Sequence, residues 1–132
     1  MTHLNESMDP SLASWLAERA EVECCDIVTV GRVSGREHRI EIWFGVIGST
    51  LYLASGNGPG ADWYRNALAA GTVEVHLDGR RLVGRARDVA DPAERRRVGE
   101  LMGAKYHWDG DPSIGLTRDA WCFDVPALAI EL

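Results

Sequence analysis

The sequence predicts a mainly β fold of the α+β class: a small antiparallel barrel of about six strands, with two or three helices packed outside it. Apolar residues alternate over 40–46 and again over 73–77, the period of a half-buried strand. Asp78-Gly79 between two such runs is a two-residue hairpin turn. Helical patterns are too few to separate every pair of strands, which excludes a doubly wound parallel sheet. The chain has 132 residues, 45% of them apolar and 26% charged. That suits one domain over 1–132, burying roughly two thirds of its unfolded surface, with 1–20 a helical segment packed on the barrel.

Asp9-Pro10 reads as a helix start, and Leu12, Trp15 and Leu16 then make one apolar stripe. Cys24 to Val30 is a β-branched strand ended by Gly31. From His38 the pattern places Ile40, Ile42, Phe44 and Val46 on one face and Glu41, Trp43 and Gly45 on the other. Gly48-Ser49 turns the chain into a strand over Leu51 to Ala54. A glycine loop, 55–60, leads to a helix at about 61–70 that stops at Gly71. Val73, Val75 and Leu77 face inward on the next strand, and 81–89 returns after the turn. Asp91-Pro92-Ala93-Glu94 is a capping box opening a helix with Val98, Leu101 and Met102 inward. A Gly/Asp-rich loop over 109–115 precedes a last strand, expected at 120–125.

The net charge of −6 argues against general nucleic-acid binding. No apolar run reaches the length of a membrane span, and MTHLNESMDP lacks a basic segment followed by an apolar one, so a cytoplasmic protein is expected. Cys24, Cys25 and Cys122 are odd in number and have no metal spacing, which reads as free thiols. Glu74, His76 and Asp78 share a strand face beside a turn, which reads as a solvated face, and no metal is expected.

Against this acidic background, "GRVSGREHRIEIWF" (31–44) concentrates positive charge at a turn. Arg32, Arg36, His38 and Arg39 flank the small residues Ser34 and Gly35, where backbone N–H groups and guanidiniums can converge on an anion. A solvated hairpin neutralised by Glu37 and Glu41 is the other reading. A second glycine loop, Ser55 to Gly60, lies between a strand and a helix start, where the helix dipole also favours an anion. Together the two loops suggest a phosphorylated cofactor.

Gly31-Arg32-Val33-Ser34-Gly35, Ile40 to Phe44, Leu53-Ala54-Ser55-Gly56 and Asp62-Trp63-Tyr64-Arg65-Asn66 resemble, in order and spacing, the deazaflavin-dependent nitroreductase family. The resemblance spans about residues 22 to 125. It implies the six-stranded split β-barrel of flavin-binding, pyridoxamine-phosphate-oxidase-like proteins, and the deazaflavin F-420 as cofactor. Carried over by position, it sets Arg32, Ser34, Gly35, Arg36 and His38 against the cofactor's phosphate and oligoglutamate tail. Glu41, Ile42 and Trp43 would lie along the ring system, with Ser55, Gly56, Asn57 and Trp63 closing the other side. This chain departs from the family at Val33, where many relatives have a basic residue, at Glu41, where many have proline, and at Gly56-Asn57, where many have a lysine.

The implied activity is hydride transfer between reduced F-420 and a small electron-poor substrate of quinone, nitro or enone type. No side-chain nucleophile or triad is expected, because the cofactor carries the chemistry. Tyr106 and Trp108, flanking His107 after a helix end, are candidates for a substrate wall or lid beside Trp43. FMN in the same barrel, or a ligand-binding protein without turnover, are the alternatives. A homodimer is the default assembly.

Overall fold

A computed structural model describes residues 10–132; the cap read at Asp9 lies outside the described residues. In chain order the elements are α1 (Pro10–Ala17), β1 (Cys24–Val30), β2 (Glu37–Trp43), β3 (Gly45–Ile47), β4 (Thr50–Ala54), α2 (Asp62–Ala70), β5 (Thr72–Leu77) and β6 (Arg80–Asp88). They continue with α3 (Pro92–Lys105), β7 (Gly110–Asp111), a 3-10 turn (Pro112–Ile114), β8 (Leu116–Thr117), α4 (Arg118–Phe123) and β9 (Ala127–Glu131).

Seven strands form one sheet in the order β2-β1-β5-β6-β9-β4-β3, and β7 and β8 form a separate small pair. Every pairing is antiparallel. The edges, β2 and β3, are separated in the chain by Phe44 alone. Two Cα steps reach at most about 7 Å, so the sheet has to curl until its edges come together. The result is a split barrel.

Two expectations need correction. The main sheet has seven strands rather than six, because the run from 37 to 47 divides at Phe44 into β2 and β3. The last strand is 127–131 rather than 120–125, and 120–123 of the expected strand belong to α4, a fourth helix where two or three were expected. Thr117 caps that helix, its Oγ1 accepting from the Ala120 N–H at 3.0 Å, and Trp121 and Cys122 are buried together. Adjacent buried residues do not fit an alternating strand. β9 shows no alternation because both its faces are covered: Leu128 and Ile130 point into the barrel, and Ala127 and Ala129 point out against α3 and α4.

The turn chemistry behaves as expected. Asp78 (φ 48°) and Gly79 (φ 81°) both take the positive φ of a tight hairpin, and Gly71 ends α2 with its N–H on the Ala67 carbonyl. Ile27, Phe44, Leu51, Leu53, Val73, Val75 and Leu77 fill the barrel, closed at its ends by Leu12 and Leu16 of α1 and Tyr64 and Ala67 of α2. Outside, Tyr52, Ala54, Val98, Met102, Tyr106, Trp121 and Cys122 make a second core under α3 and α4. Gly45 permits this contact: a Cβ there would stand 2.5 Å from the Leu101 Cδ2.

At the crossover the Phe44 peptide groups leave the ladder and are bonded by the end of α3. The Phe44 N–H donates to the Tyr106 hydroxyl at 3.0 Å, and Lys105 Nζ donates to the Phe44 carbonyl at 2.9 Å. The single hydroxyl proton of Tyr106 goes to the nearer acceptor, the Glu23 carbonyl at 2.6 Å. Lys105 also sits 3.6 Å above the Phe44 ring, and burial pushes its pKa down to about 8. A second, part-buried network ties α3 to the sheet. Asp91 caps the helix through the Glu94 N–H at 2.9 Å, while the Glu94 carboxylate turns inward. It accepts two bonds from Arg87, both at 2.8 Å, and one from the Tyr52 hydroxyl at 2.6 Å.

Tyr106→Phe keeps the ring and strands the Phe44 N–H and the Glu23 carbonyl. It should cost about 1–3 kcal/mol, read as a lowered Tm; an unchanged Tm would mean that another group serves the crossover. The bonds from Arg87, then Tyr52, hold the Glu94 carboxyl down at about 2. Its unfolded value is about 4.3, so this stabilisation is complete above that pH and fades as pH falls towards 2. Because Arg87 keeps one side in water, Glu94→Gln should cost roughly 1–2 kcal/mol at neutral pH, with the gap to wild type closing in acid urea titrations.

Candidate functional site

Two hollows run together along β2. The first, about 400 Å³, is bordered by Arg32, Val33, Ser34 and His38 of the hairpin and by Ala61, Asp62, Trp63 and Asn66 around the start of α2. The second, about 480 Å³, is bordered by Glu41, Ile42, Trp43, Gly56, Trp108, Asp111 and Trp121 among others. Ile40, Asn57 and Trp63 border both, so the pair forms one trough with a basic end and an aromatic end.

The basic end is built by the turn at 31–36. The Gly31 N–H donates to the Arg36 carbonyl at 2.7 Å, the Gly35 N–H to the Gly31 carbonyl at 2.9 Å, and the Arg36 N–H to Ser34 Oγ at 3.2 Å. Arg32 is docked on α2. Its backbone N–H and its guanidinium both reach the buried Asn66 Oδ1, at 3.1 and 2.6 Å, and its other arm meets Asp62 at 3.3 Å. Arg39 pairs with Asp26 at 2.8 Å. The acids that neutralise the hairpin are therefore Asp62 and Asp26, rather than Glu37 and Glu41. Arg36 and His38 make no ion pair among the described residues. At the start of α2 the N-cap position is Ala61, with no side-chain hydrogen bond to the first turn, and Ala61, Asp62 and Trp63 border the trough.

The aromatic end is built from rings packed on one another. Trp43 stacks on Tyr106 with ring centroids 4.3 Å apart and planes 2° from parallel. Trp43, Trp108 and Trp121 meet edge to face, at 5.9, 5.6 and 5.4 Å, with interplanar angles of 75° to 87°.

Of the residues expected at the site, Arg32, Ser34 and His38 border the basic hollow, Glu41, Ile42, Trp43 and Gly56 the aromatic one, and Asn57 and Trp63 both. Gly35 and Arg36 stand at the exposed hairpin tip beside them. Ser55 is fully buried, and its hydroxyl closes the glycine loop on the Gly58 carbonyl at 2.6 Å. Trp108 borders the trough, whereas Tyr106 is buried behind Trp43 and opens on a separate hollow with Glu21, Glu23, Lys105 and His107. Sequence reasoning missed Asn66, although its block was singled out. It also missed Asp111, and Trp121, which had been assigned to a strand.

The split barrel is shared with solved structures. An F-420-dependent reductase aligns at 21% identity and a TM-score of 0.64, over 83% of this chain and 95% of that one. A Listeria innocua protein named as a candidate pyridoxamine 5'-phosphate oxidase aligns at 16% and 0.62, over 91% of each chain. A structure described as a domain-swapped dimer aligns at 19% and 0.63, over 89% of this chain and 98% of that one. At these identities the likeness establishes the fold, and it is in keeping with the resemblance to deazaflavin-dependent split-barrel proteins. No curated protein matches the sequence. Residues 20–119 match the family described as uncharacterized protein conserved in bacteria (DUF2255), and the chain belongs to that family.

Proposed function

We propose that this protein is a cytoplasmic oxidoreductase that binds F-420 in the trough and reduces a small electron-poor organic molecule of quinone, nitro or enone type. The observation that carries the reading is the continuity of the trough. A basic hairpin and a helix N-terminus without a side-chain cap lie at one end, and a wall of packed tryptophans lies at the other. A planar ring system with an anionic tail matches both ends at once.

In this reading Arg32, Arg36 and His38 hold the phosphate and tail, with Ser34 and Gly35 shaping the turn that presents them. Ile42 and Trp43, with the Glu41 backbone, flank the ring. Ser55 and Gly56 shape the facing loop, and Asn57 and Trp63 close that side. When bound, the reduced cofactor supplies a hydride. The chain's own contribution is to orient two flat partners and keep water from between them, which Trp43, Trp108 and Trp121 suit. Tyr106 contributes by fixing the Trp43 plane from behind.

FMN is the second reading. With Arg32 already bonded to Asn66 and Asp62, the Arg36 guanidinium and the hydrogen-bonding ring of His38 are left for a ligand, enough for a single phosphate. A homodimer is the proposed assembly, supported by the domain-swapped neighbour of the same fold.

Parallel titrations with F-420 and FMN test the cofactor, and a substrate panel then separates an enzyme from a binding protein. Replacing both Arg32 and Arg36 by alanine should weaken F-420 binding by roughly 2–4 kcal/mol at low salt, a loss that shrinks as salt rises. Asp62→Asn, which frees one arm of Arg32, should strengthen binding. Unchanged affinity in the double variant at low salt would return the hairpin to a solvated surface.

A further inference from the structure

The aromatic end of the trough carries a charge pattern that the cofactor reading does not use. Among the described residues no Arg, Lys or His borders this hollow, and two carboxylates do, Glu41 and Asp111. Glu41 is exposed on β2 directly opposite Asp26, which already pairs with Arg39, and Glu41 itself has no ion pair among the described residues. Asp111 is half-buried, and among the described residues its carboxylate is engaged only by Ser113, through the N–H at 3.1 Å and Oγ at 2.5 Å. Neither bond neutralises its charge.

The walls between these carboxylates are indoles. Tyr106 covers one face of Trp43, so a ligand in the hollow meets the other face. Trp108 and Trp121 stand nearly perpendicular to it and make a corner. Indole faces are electron-rich and attract cations, most of all where water is partly excluded. Carboxylates with no basic partner raise the local cation concentration in a cleft. An anion here would face both terms as repulsion.

Building on the oxidoreductase reading, we propose that this hollow selects its substrate class: a planar aromatic cation, laid over the cofactor ring that flanks Trp43, with Trp108 against its edge and its charge shared by Glu41 and Asp111. A ring of that kind is electron-poor, the property which that reading asks of an acceptor. The trough is then bipolar, with its positive end for the cofactor's anionic tail and its negative end for the substrate.

The test is calorimetric titration without F-420, comparing N-methylquinolinium with quinoline at mildly alkaline pH, where quinoline is neutral. The cation should bind about tenfold or more tighter, and the ratio should fall with added salt. Glu41→Gln and Asp111→Asn should each cut the preference several-fold and leave quinoline binding unchanged. The Asn retains the oxygen that Ser113 uses, and Glu41 is exposed on its strand, so at least one variant should fold. Equal affinity for the two probes, or a preference unaltered in folded variants, would overturn the proposal. A cation preference with no F-420 binding would keep the subsite and remove the cofactor reading, and the converse would do the opposite.

Discussion

The structure depends on how one residue leaves the sheet. Phe44 sits between the strands at the two edges, so its N–H and carbonyl have no ladder partner where its ring fills the barrel. Buried peptide groups without partners cost about as much as a lost hydrogen bond, and here Tyr106 and Lys105 serve them. The end of α3 thereby closes the barrel. The only lysine in the chain is committed to that task, with its charge against the Phe44 ring.

The crossover also makes the aromatic end of the trough. Because side chains alternate along β2, sending Phe44 inward turns Trp43 outward, against Tyr106 and under α4. The tyrosine that bonds the Phe44 backbone is the one that stacks on Trp43. Closure of the fold and flatness of the wall thus share a side chain. At the other end, Asn66 couples the hairpin to α2 through two bonds to Arg32, which sets the distance between the two sides of the basic hollow.

Much of this can be read in the residues. The alternation over 40–46 placed Trp43 opposite Ile42 and Phe44, and the turn at Asp78-Gly79 and the cap at Asp91 are where local chemistry puts them. What escaped reading depends on partners distant in sequence. β9 is apolar on both faces, so 127–131 has no period to find. The aromatic residues over 121–125 carry strand propensity, yet the Thr117 cap and the packing of Trp121 and Cys122 under α3 make a helix. The break at Phe44 is invisible in the pattern, since Val46 resumes the same alternation. At the site, the hairpin's charge was evident from local composition, but the pairing of Arg32 with Asp62 and Asn66 spans 30 and 34 positions of the chain.

The tryptophans provide their own control for the central claim that one trough holds a planar, anionic-tailed cofactor. Trp43, Trp63, Trp108 and Trp121 border it, while Trp15 lies on α1 with Arg19 and Arg80 over its ring. The most direct measurement is the indole N–H region of the nitrogen–proton correlation spectrum during an F-420 titration. The account predicts saturable shifts for Trp43, Trp63 and Trp108 with Trp15 unmoved. Shifts centred on Trp15, or no saturable shift at any indole, would contradict it.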